Sequence, residues 1–279
     1  MRVTHPRARH RGVPQGYGES LPGRVQQAGN TTQAVCEDHS MPTTARASGP
    51  HRGRVGRPRV QGPVADGLAP RDGVLAAAAE LFTRLGYAAT TTRAIAERAG
   101  LRQASMYHYF AGKEDILAEL LEGTVQPSLD LARVLVARAE PSAEARLWAL
   151  CRADVALLCG GPHNLGALYL LPEVGAERFA AFHQVRAALK ASYRELLAAG
   201  TAGAALGGPE LELRGDLLFG LIEGVILIRR QAPAEPAEAL ASAAADAALR
   251  LSGAPEATVA EAAVQGARLL DTLHGHSDG

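Results

Sequence analysis

The sequence has few aromatic residues and no long apolar run. Aromatic side chains make up 4% of the 279 residues, although hydrophobic residues make up 47%. Alanine supplies much of this apolar content and favours helices, whereas strands favour β-branched and aromatic residues. No apolar stretch is long enough to cross a membrane, and no apolar signal segment stands at the N-terminus. The composition therefore predicts an all-α, cytoplasmic protein with no membrane partner.

Cysteine is also scarce. The three cysteines, Cys36, Cys151 and Cys159, fit neither a metal-binding spacing nor a disulfide framework, as is typical of a reducing compartment. Cys151 and Cys159 fall on one predicted helix, where they are either buried free thiols or a redox pair. A straight helix holds residues at this spacing too far apart for a disulfide, which favours the buried thiols.

Signatures of catalysis are missing as well. The sequence contains no nucleophile elbow, phosphate-binding loop, Gly-rich dinucleotide turn or histidine–carboxylate metal motif. The alternative is an enzyme. Its catalytic site would have to be assembled from His163, His183, Cys151 and several carboxylates. We therefore expect a protein that is not an enzyme and that uses no cofactor and no metal.

Charge is unevenly distributed along the chain. The net charge is zero, but residues 1–70 hold ten arginines and four acidic residues, a net charge of +6, so the remainder carries −6. A basic arm on an acidic body is typical of nucleic-acid-binding proteins. One interpretation is a non-specific, architectural DNA-binding protein that relies on this arm.

Residues 1–68 are rich in Gly, Pro and Arg and show no sustained periodicity, which predicts disorder. The run Arg52–Arg59 alternates arginine with glycine and proline, and flexible arginines of this kind suit a narrow minor groove. The alternative is a solvated tail. Met41 is a candidate for the true first residue, because nothing before it has a structural pattern.

Two short helices joined at a glycine are predicted between residues 91 and 110. Thr91 is the expected N-cap of the first helix, and Gly100 ends it, since glycine enters the left-handed region without strain. The second helix runs from about Gln103 to Tyr109, anchored to the core by Met106 and Phe110, which lie four residues apart. With an amphipathic helix upstream, this is a helix-turn-helix arrangement whose second helix fits the major groove of DNA.

Six short motifs follow one another through this segment. They are Gly86-Tyr87, Thr91-Thr92, Ile95-Ala96, Ala99-Gly100-Leu101, Met106-Tyr107-His108-Tyr109-Phe110 and Lys113-Glu114-Asp115-Ile116-Leu117. In this order and spacing they resemble the DNA-binding domain of the TetR family, the tetracycline-repressor-like transcriptional regulators of bacteria. The resemblance covers roughly residues 70 to 124, about a fifth of the chain. Agreement at so many positions is more specific than a lone motif.

The resemblance implies an all-α fold with an N-terminal three-helix helix-turn-helix domain and a larger C-terminal helical domain. We place the basic arm at 1–68, the DNA-binding domain at 69–115, the effector-binding and dimerisation domain at 116–252, and an extra helix and tail at 253–279. The implied function is a sequence-specific transcriptional regulator, a repressor that a small-molecule effector releases. The implied partners are double-stranded DNA with a palindromic operator, the effector and a second copy of the chain.

The resemblance also assigns roles to side chains of the helix-turn-helix. The residues expected to meet phosphate are Thr92, Ser105, Tyr107, Tyr109 and Lys113, and Thr91 is counted among the DNA-binding residues beside them. The residues expected to read base edges are Arg93, Gln103, Ala104 and His108. The chemistry agrees, because hydroxyls and an ammonium group donate to phosphate, and glutamine can pair with adenine.

Arg102 departs from the family pattern, which usually has serine at this position. Serine would cap the recognition helix, and loss of a cap costs about 1 kcal/mol. Either the helix starts uncapped, or Arg102 compensates by reaching a guanine or a phosphate.

Helical periodicity continues through the rest of the chain. The predicted helices cover residues 113–139, as one helix or as two divided at Pro127, then 143–159, 176–199, 211–230, 237–251 and 257–273. The resemblance implies dimerisation through the helices at 211–230 and 237–251, and an effector in the core between helices. Our candidate effector-binding residues are Trp148, Arg152, His163, Asn164, Tyr169, Phe179, Phe182, His183 and Glu223.

Overall fold

The structure, a computed structural model, describes residues 67–275, which form helices, short 3-10 turns and loops without a strand among them. The α-helices in chain order are α1 (Pro70–Leu85), α2 (Thr92–Arg98), α3 (Gln103–Met106), α4 (Lys113–Val136), α5 (Ala143–Cys159), α6 (Ala180–Ala199), α7 (Gly208–Gln231), α8 (Ala237–Ser252) and α9 (Glu256–Gly275). The all-α prediction is confirmed. The predictions for the arm through residue 66, including Arg52–Arg59, Met41 and Cys36, fall outside the described residues.

Several predicted helix boundaries differ from the structure by a few residues, and the differences in α3, α4 and α6 are the most informative. The recognition helix α3 ends at Met106, and the residues up to Tyr109 continue as a turn. Pro127 lies inside α4 without ending it. Proline removes one backbone hydrogen bond, but buried residues on both sides of Pro127 pack α4 against α5 and α6 and hold the helix. α6 begins at Ala180 because 3-10 turns occupy the preceding residues.

Helices α1 to α3 form a small bundle, the head, around a shared core. Val74 and Ala78 of α1, Ile95 of α2 and Met106 of α3 are completely buried, and Phe110 closes the core behind α3. The apolar spacing that predicted these helices therefore places one face of each helix in the same interior.

The corner between α2 and α3 is a glycine-terminated helix end. Gly100 has a φ of +74°, in the left-handed region. The Gly100 amide donates to Glu97, and the Leu101 amide donates to the carbonyl of Ala96, which satisfies the last carbonyls of α2 in the Schellman pattern. The predicted roles of Gly100 and of the Thr91 cap, whose hydroxyl accepts from the Ala94 amide at 3.1 Å, are confirmed.

Two ion-pair groups fix the head. Glu80 of α1 accepts from Arg84 and from Arg98 of α2, and these guanidinium groups hold the pKa of Glu80 below its usual value. Arg71 of α1 pairs with Glu119 of α4 and lies over the Phe110 ring, with 5.0 Å between the guanidinium carbon and the ring centre. The first group joins α1 to α2, and the second joins α1 to α4.

The larger helical body is organised around α5, which contacts each of α4, α6, α7, α8 and α9. α9 lies against α5 at Gly266, where an added Cβ would come within 2.8 Å of both the Trp148 ring and the Ala145 carbonyl oxygen. This close approach needs glycine and places the C-terminal helix as part of the body. Among residues 67–275, no helix is both long and apolar enough to cross a membrane.

Candidate nucleic-acid interface and buried polar cluster

The recognition segment turns its apolar side inward and its polar side to solvent. Met106 and Phe110 are buried, whereas Tyr107 is 48% exposed and Tyr109 is 41% exposed. Four more residues on this side are exposed: Arg102, Gln103, Ala104 and His108. Ser105 is half-buried. The surface predicted to meet DNA is therefore open to a partner.

Three of these polar groups are already held together. The Thr92 hydroxyl lies 3.2 Å from the Tyr107 hydroxyl, and the Gln103 amide nitrogen donates to Thr92 at 3.1 Å and to Tyr107 at 3.4 Å. We call Thr92, Gln103 and Tyr107 the exposed triangle. The exposed triangle joins the start of α2 to α3. The hydrogen bonds of Tyr107 with Thr92, first, and with Gln103 lower the pKa of the Tyr107 hydroxyl. Hydroxyl and amide donors in fixed positions suit phosphate oxygens and base edges.

Lys113 is engaged with the protein itself. Its ammonium nitrogen donates to the carbonyl oxygens of Tyr87 at 3.0 Å and Thr90 at 3.4 Å and lies 4.2 Å from the centre of the Tyr87 ring. Burial, followed by the Glu114 carboxylate, raises the pKa of Tyr87 to about 12. Lys113 therefore braces the turn before α2. An ammonium group has three donors, so a phosphate contact remains a prediction.

The two arginines of this surface differ. Arg93 donates from Nε to Glu97 at 2.9 Å, one turn further along the exposed side of α2. Arg102 occupies the N-cap position of α3 without forming a side-chain cap, as the loss of serine predicts. Within residues 67–275 its guanidinium group has no hydrogen bond or ion pair, so it is available to an incoming partner.

A polar cluster lies inside the body. Asp154 of α5 is 3% exposed and accepts 2.8 Å hydrogen bonds from the hydroxyls of Ser128 on α4 and Tyr193 on α6. Burial raises the pKa of Asp154 to about 6, against the lowering effect of those two hydrogen bonds. The three residues form the buried triad, which links three helices through one carboxyl group.

A second set of polar contacts borders the triad. The Tyr169 hydroxyl lies 2.6 Å from that of Thr124, and Arg186 of α6 forms a two-bond ion pair with Glu223 of α7. Tyr169, Arg186 and Glu223 line a cavity of about 10 Å³ together with Asp154. That volume holds at most one water molecule, so the core is closed to a larger ligand in this conformation.

Comparison with known proteins identifies the head. Residues 74–120 match the model of the family described as bacterial regulatory proteins, tetR family. The crystal structure of Mycobacterium smegmatis AmtR is 44% identical, with a TM-score of 0.66, over 75% of this chain and 98% of that one. The chain belongs to the TetR family. The all-α fold with an N-terminal helix-turn-helix and a larger helical domain is thereby confirmed.

Other TetR-family comparisons are partial or more distant. The HTH-type transcriptional repressor KstR2 of Mycobacterium tuberculosis is 47% identical over 53 residues, which are 19% of this chain and 26% of that protein. The chain thus spans about a quarter of this relative, and 39% of the KstR2 of Rhodococcus jostii. The MbdR regulator from Azoarcus sp. CIB is 25% identical over 65% of this chain and 97% of its own, with a TM-score of 0.56.

The predicted effector residues of this TetR-family chain fall in four places. Tyr169 and Glu223 border the buried triad; Phe182 packs against the Tyr169 ring, and the His183 ring lies beside Phe182. Phe179 is buried at the start of α6. The remaining four residues lie elsewhere: His163, Asn164, Trp148 and Arg152.

Trp148 and Arg152 are not brought to the cluster. The Trp148 indole donates to Asp246 of α8 at 2.8 Å, and Arg152 pairs with Glu238, also of α8. At 3.6 residues per turn, Trp148 lies roughly 120° and Arg152 roughly 160° around α5 from Asp154. They belong to the packing of α5 against α8 and α9. His163 and Asn164 line a cleft beside the head instead, and Asn164 donates to the Ile226 carbonyl of α7.

The residues that sequence reasoning missed are the buried triad and Arg186. Asp154 had a signal, because it lies in phase with Leu150, Cys151 and Leu158, all of which are buried. A carboxylate on the apolar face of a helix predicts a buried, partnered acid. Arg186 had no comparable signal, because an arginine on an amphipathic helix is usually solvated.

Proposed function

We propose that this chain is a sequence-specific DNA-binding transcriptional regulator, a repressor that a small-molecule effector releases. The observation that carries the proposal is the exposed triangle on a helix-turn-helix whose apolar side is buried. Membership of the TetR family supports it, as does the similarity to the KstR2 transcriptional repressors. Exposed donors beside Arg102 and His108 suit the major groove.

The proposed functional unit is a homodimer on a palindromic operator. α7 presents four large apolar side chains that are 47% to 59% exposed: Leu213, Leu217, Leu227 and Ile228. Gly220 and Gly224 lie between them along the helix, and nothing approaches within 4 Å of a Cβ built on either glycine. Leucines around small residues let a second helix approach closely. A two-fold dimer would present two recognition helices to two half-sites.

The proposed effector site is the buried triad with Arg186 and Glu223. Its closed cavity means that an effector binds only after helices α4 to α7 move apart. A ligand shifts such an equilibrium only by binding the open state more tightly than the closed one. Through α4, which also contacts α1, that opening would change the position of the head.

The dimer is tested by Leu217→Glu, which places a charge in the α7 face. We expect sedimentation to show a monomer that no longer binds operator DNA. Val264→Glu is the matched control, because Val264 of α9 is equally exposed, at 52%, on another face. A Leu217→Glu protein that stays dimeric would exclude this face.

DNA binding is tested by gel shifts with the intergenic DNA upstream of the chain's own gene. His108→Ala and Gln103→Ala should change sequence preference, by about tenfold at the affected base pair. Tyr107→Phe should weaken all sites alike and reduce the salt dependence. Arg133→Ala on the exposed side of α4 is the control and should bind as the unaltered chain does.

An architectural DNA-binding protein is the second candidate, favoured by the +6 charge of residues 1–70. It predicts equal affinity for operator and random duplexes and loss of binding when residues 1–66 are removed. A regulator predicts operator preference that survives this removal. If the four head substitutions, Gln103→Ala, Tyr107→Phe, His108→Ala and Lys113→Ala, all leave operator binding unchanged, the interface is wrong.

A further inference from the structure

A basic cleft lies where the head meets the body. It has a volume of about 480 Å³, and it is bordered by the C-terminal end of α1, the loop after α5 and the C-terminal end of α7. Its lining includes Arg84, Arg229 and Arg230 and no acidic residue. The volume is within the range of small-molecule sites in proteins.

The positive charge of this cleft is only partly compensated. Arg84 shares the single carboxylate of Glu80 with Arg98. Arg229 donates from Nη1 to the backbone carbonyls of Pro233 at 2.6 Å and Glu235 at 2.7 Å, which carry no net charge. The charge of Arg84 is therefore only partly neutralised and that of Arg229 is not neutralised, so both arginines can pair with an anion.

Arg230 contributes a cation with no partner at all among residues 67–275, and it is exposed. A guanidinium group of this kind has five donors and matches a carboxylate or phosphate with two parallel hydrogen bonds. Arg229 and Arg230 are both in the last turn of α7, and both line the cleft.

Beside the polar residues Thr83, His163 and Asn164, the remaining lining of the cleft has an apolar wall. It is formed by side chains from α1 and from the turns after α5: Phe82, Pro162, Ala167, Leu168 and Leu171. A ligand that fits both walls has an acid group at one end and an uncharged, apolar body.

We propose that this cleft binds a small amphipathic anion. It is a different site from the buried triad, whose cavity is about 10 Å³ and is lined by two carboxyl groups and one guanidinium. A bound anion would join Arg84 of the head to Arg229 and Arg230 of the body. Only the effect of that link on DNA rests on the proposed function; the binding itself does not.

The test is calorimetric titration of the full chain, without DNA, with three probes of one skeleton: phenylbutyrate, phenylbutylamine and phenylbutanol. We expect phenylbutyrate to bind once per chain, at least about tenfold more tightly than the amine or the alcohol. Binding should weaken at about 0.5 M salt, because partly exposed charges are screened. Equal binding of the three probes, or no binding of the acid, would overturn the proposal.

Variants locate the site. Arg230→Ala removes a side chain without partners, so the fold is preserved, and it should weaken phenylbutyrate binding about threefold to fivefold. Arg230→Glu should weaken it by more than about tenfold, because a like charge then faces the acid. Arg133→Ala, on the exposed side of α4, should leave binding unchanged. If Arg230→Glu binds as the unaltered chain does, or Arg133→Ala weakens binding equally, the cleft is not the site. Because no DNA is present, failure of the proposed regulator would leave this result unaffected.

Discussion

The exposed triangle and the buried triad are made of similar groups in opposite surroundings. In the head, Thr92 and Gln103 hold a tyrosine hydroxyl at the surface. In the body, a tyrosine and a serine hydroxyl hold Asp154 away from water. Water solvates the first group when a partner is absent, whereas the second depends on its three members alone.

This difference suits the exposed triangle to binding a partner and the buried triad to holding helices together. Exposed donors can exchange water for phosphate or base at little change in folding free energy. Buried donors and acceptors fix the relative positions of α4, α5 and α6, and a missing partner leaves a desolvated group unpaired. We therefore expect substitutions in the head to change DNA binding and substitutions in the triad to change stability.

The largest expected effect is on the pH dependence of stability. The pKa of Asp154 rises from its usual 3.8 to about 6 on folding, so the folded state binds this proton more tightly. Its contribution to stability is fully present below about pH 3.8 and is lost as the pH rises through about 6. The shift corresponds to about 3 kcal/mol at most.

Urea unfolding between about pH 4 and 8 measures this effect by comparing the unaltered chain with Asp154→Asn. The asparagine does not titrate, so the difference between the two free energies of unfolding should change across this window. The other ionisable groups are common to both proteins and cancel. Parallel pH curves would show that Asp154 does not titrate in this range.

Tyr193→Phe and Tyr107→Phe compare the two clusters directly. Loss of the Tyr193 hydroxyl leaves a buried carboxylate with one donor and should lower the free energy of unfolding by about 2 kcal/mol near pH 8. Loss of the exposed Tyr107 hydroxyl should change it by less than about 0.5 kcal/mol and lower DNA affinity instead. Equal stability losses would mean that the clusters do not differ as proposed.

The head was predictable from sequence because its signals are local. A threonine cap, a left-handed glycine and apolar residues at helical spacing each act within a few residues. Thr91, Gly100 and Met106 accordingly lie where the pattern places them. The early end of α3 was not predictable, because the residues from Tyr107 to Tyr109 contain no helix-ending glycine or proline. They form a turn that leads to the buried Phe110.

The body was predictable as helices but not as a site. Trp148 and Tyr169 are both amphipathic aromatic residues, but Trp148 lies on the side of α5 that packs against α8, whereas Tyr169 lies in a 3-10 turn after α5 and borders the buried triad. Their roles depend on contacts between distant segments, such as the indole of Trp148 with Asp246. The placement of α9 likewise depends on a contact between distant segments. Gly266 lets α9 approach the Trp148 ring of α5, and the sequence alone does not show that these two residues meet.

The two helix caps offer a smaller comparison. Thr91 caps α2 and Ser142 caps α5, each by accepting from a backbone amide, at 3.1 and 3.2 Å. Thr91→Ala and Ser142→Ala should each lower the free energy of unfolding by about 1 kcal/mol. Only Thr91→Ala should also weaken operator binding, because α2 positions the exposed triangle. If Ser142→Ala weakens operator binding as much as Thr91→Ala does, DNA affinity simply follows stability.

The smallest expected effect concerns the exposed side of α2. Arg93 and Glu97 form an ion pair one turn apart, with side chains 70% and 64% exposed. Arg93→Ala should lower the free energy of unfolding by only about 0.3 kcal/mol, as is usual for such pairs. Arg98→Ala on the same helix should lower it several times more, because its partner Glu80 is nearly buried. If Arg93→Ala nevertheless weakens operator binding about tenfold, the guanidinium group must leave Glu97 for DNA, since the folded head barely depends on that pair.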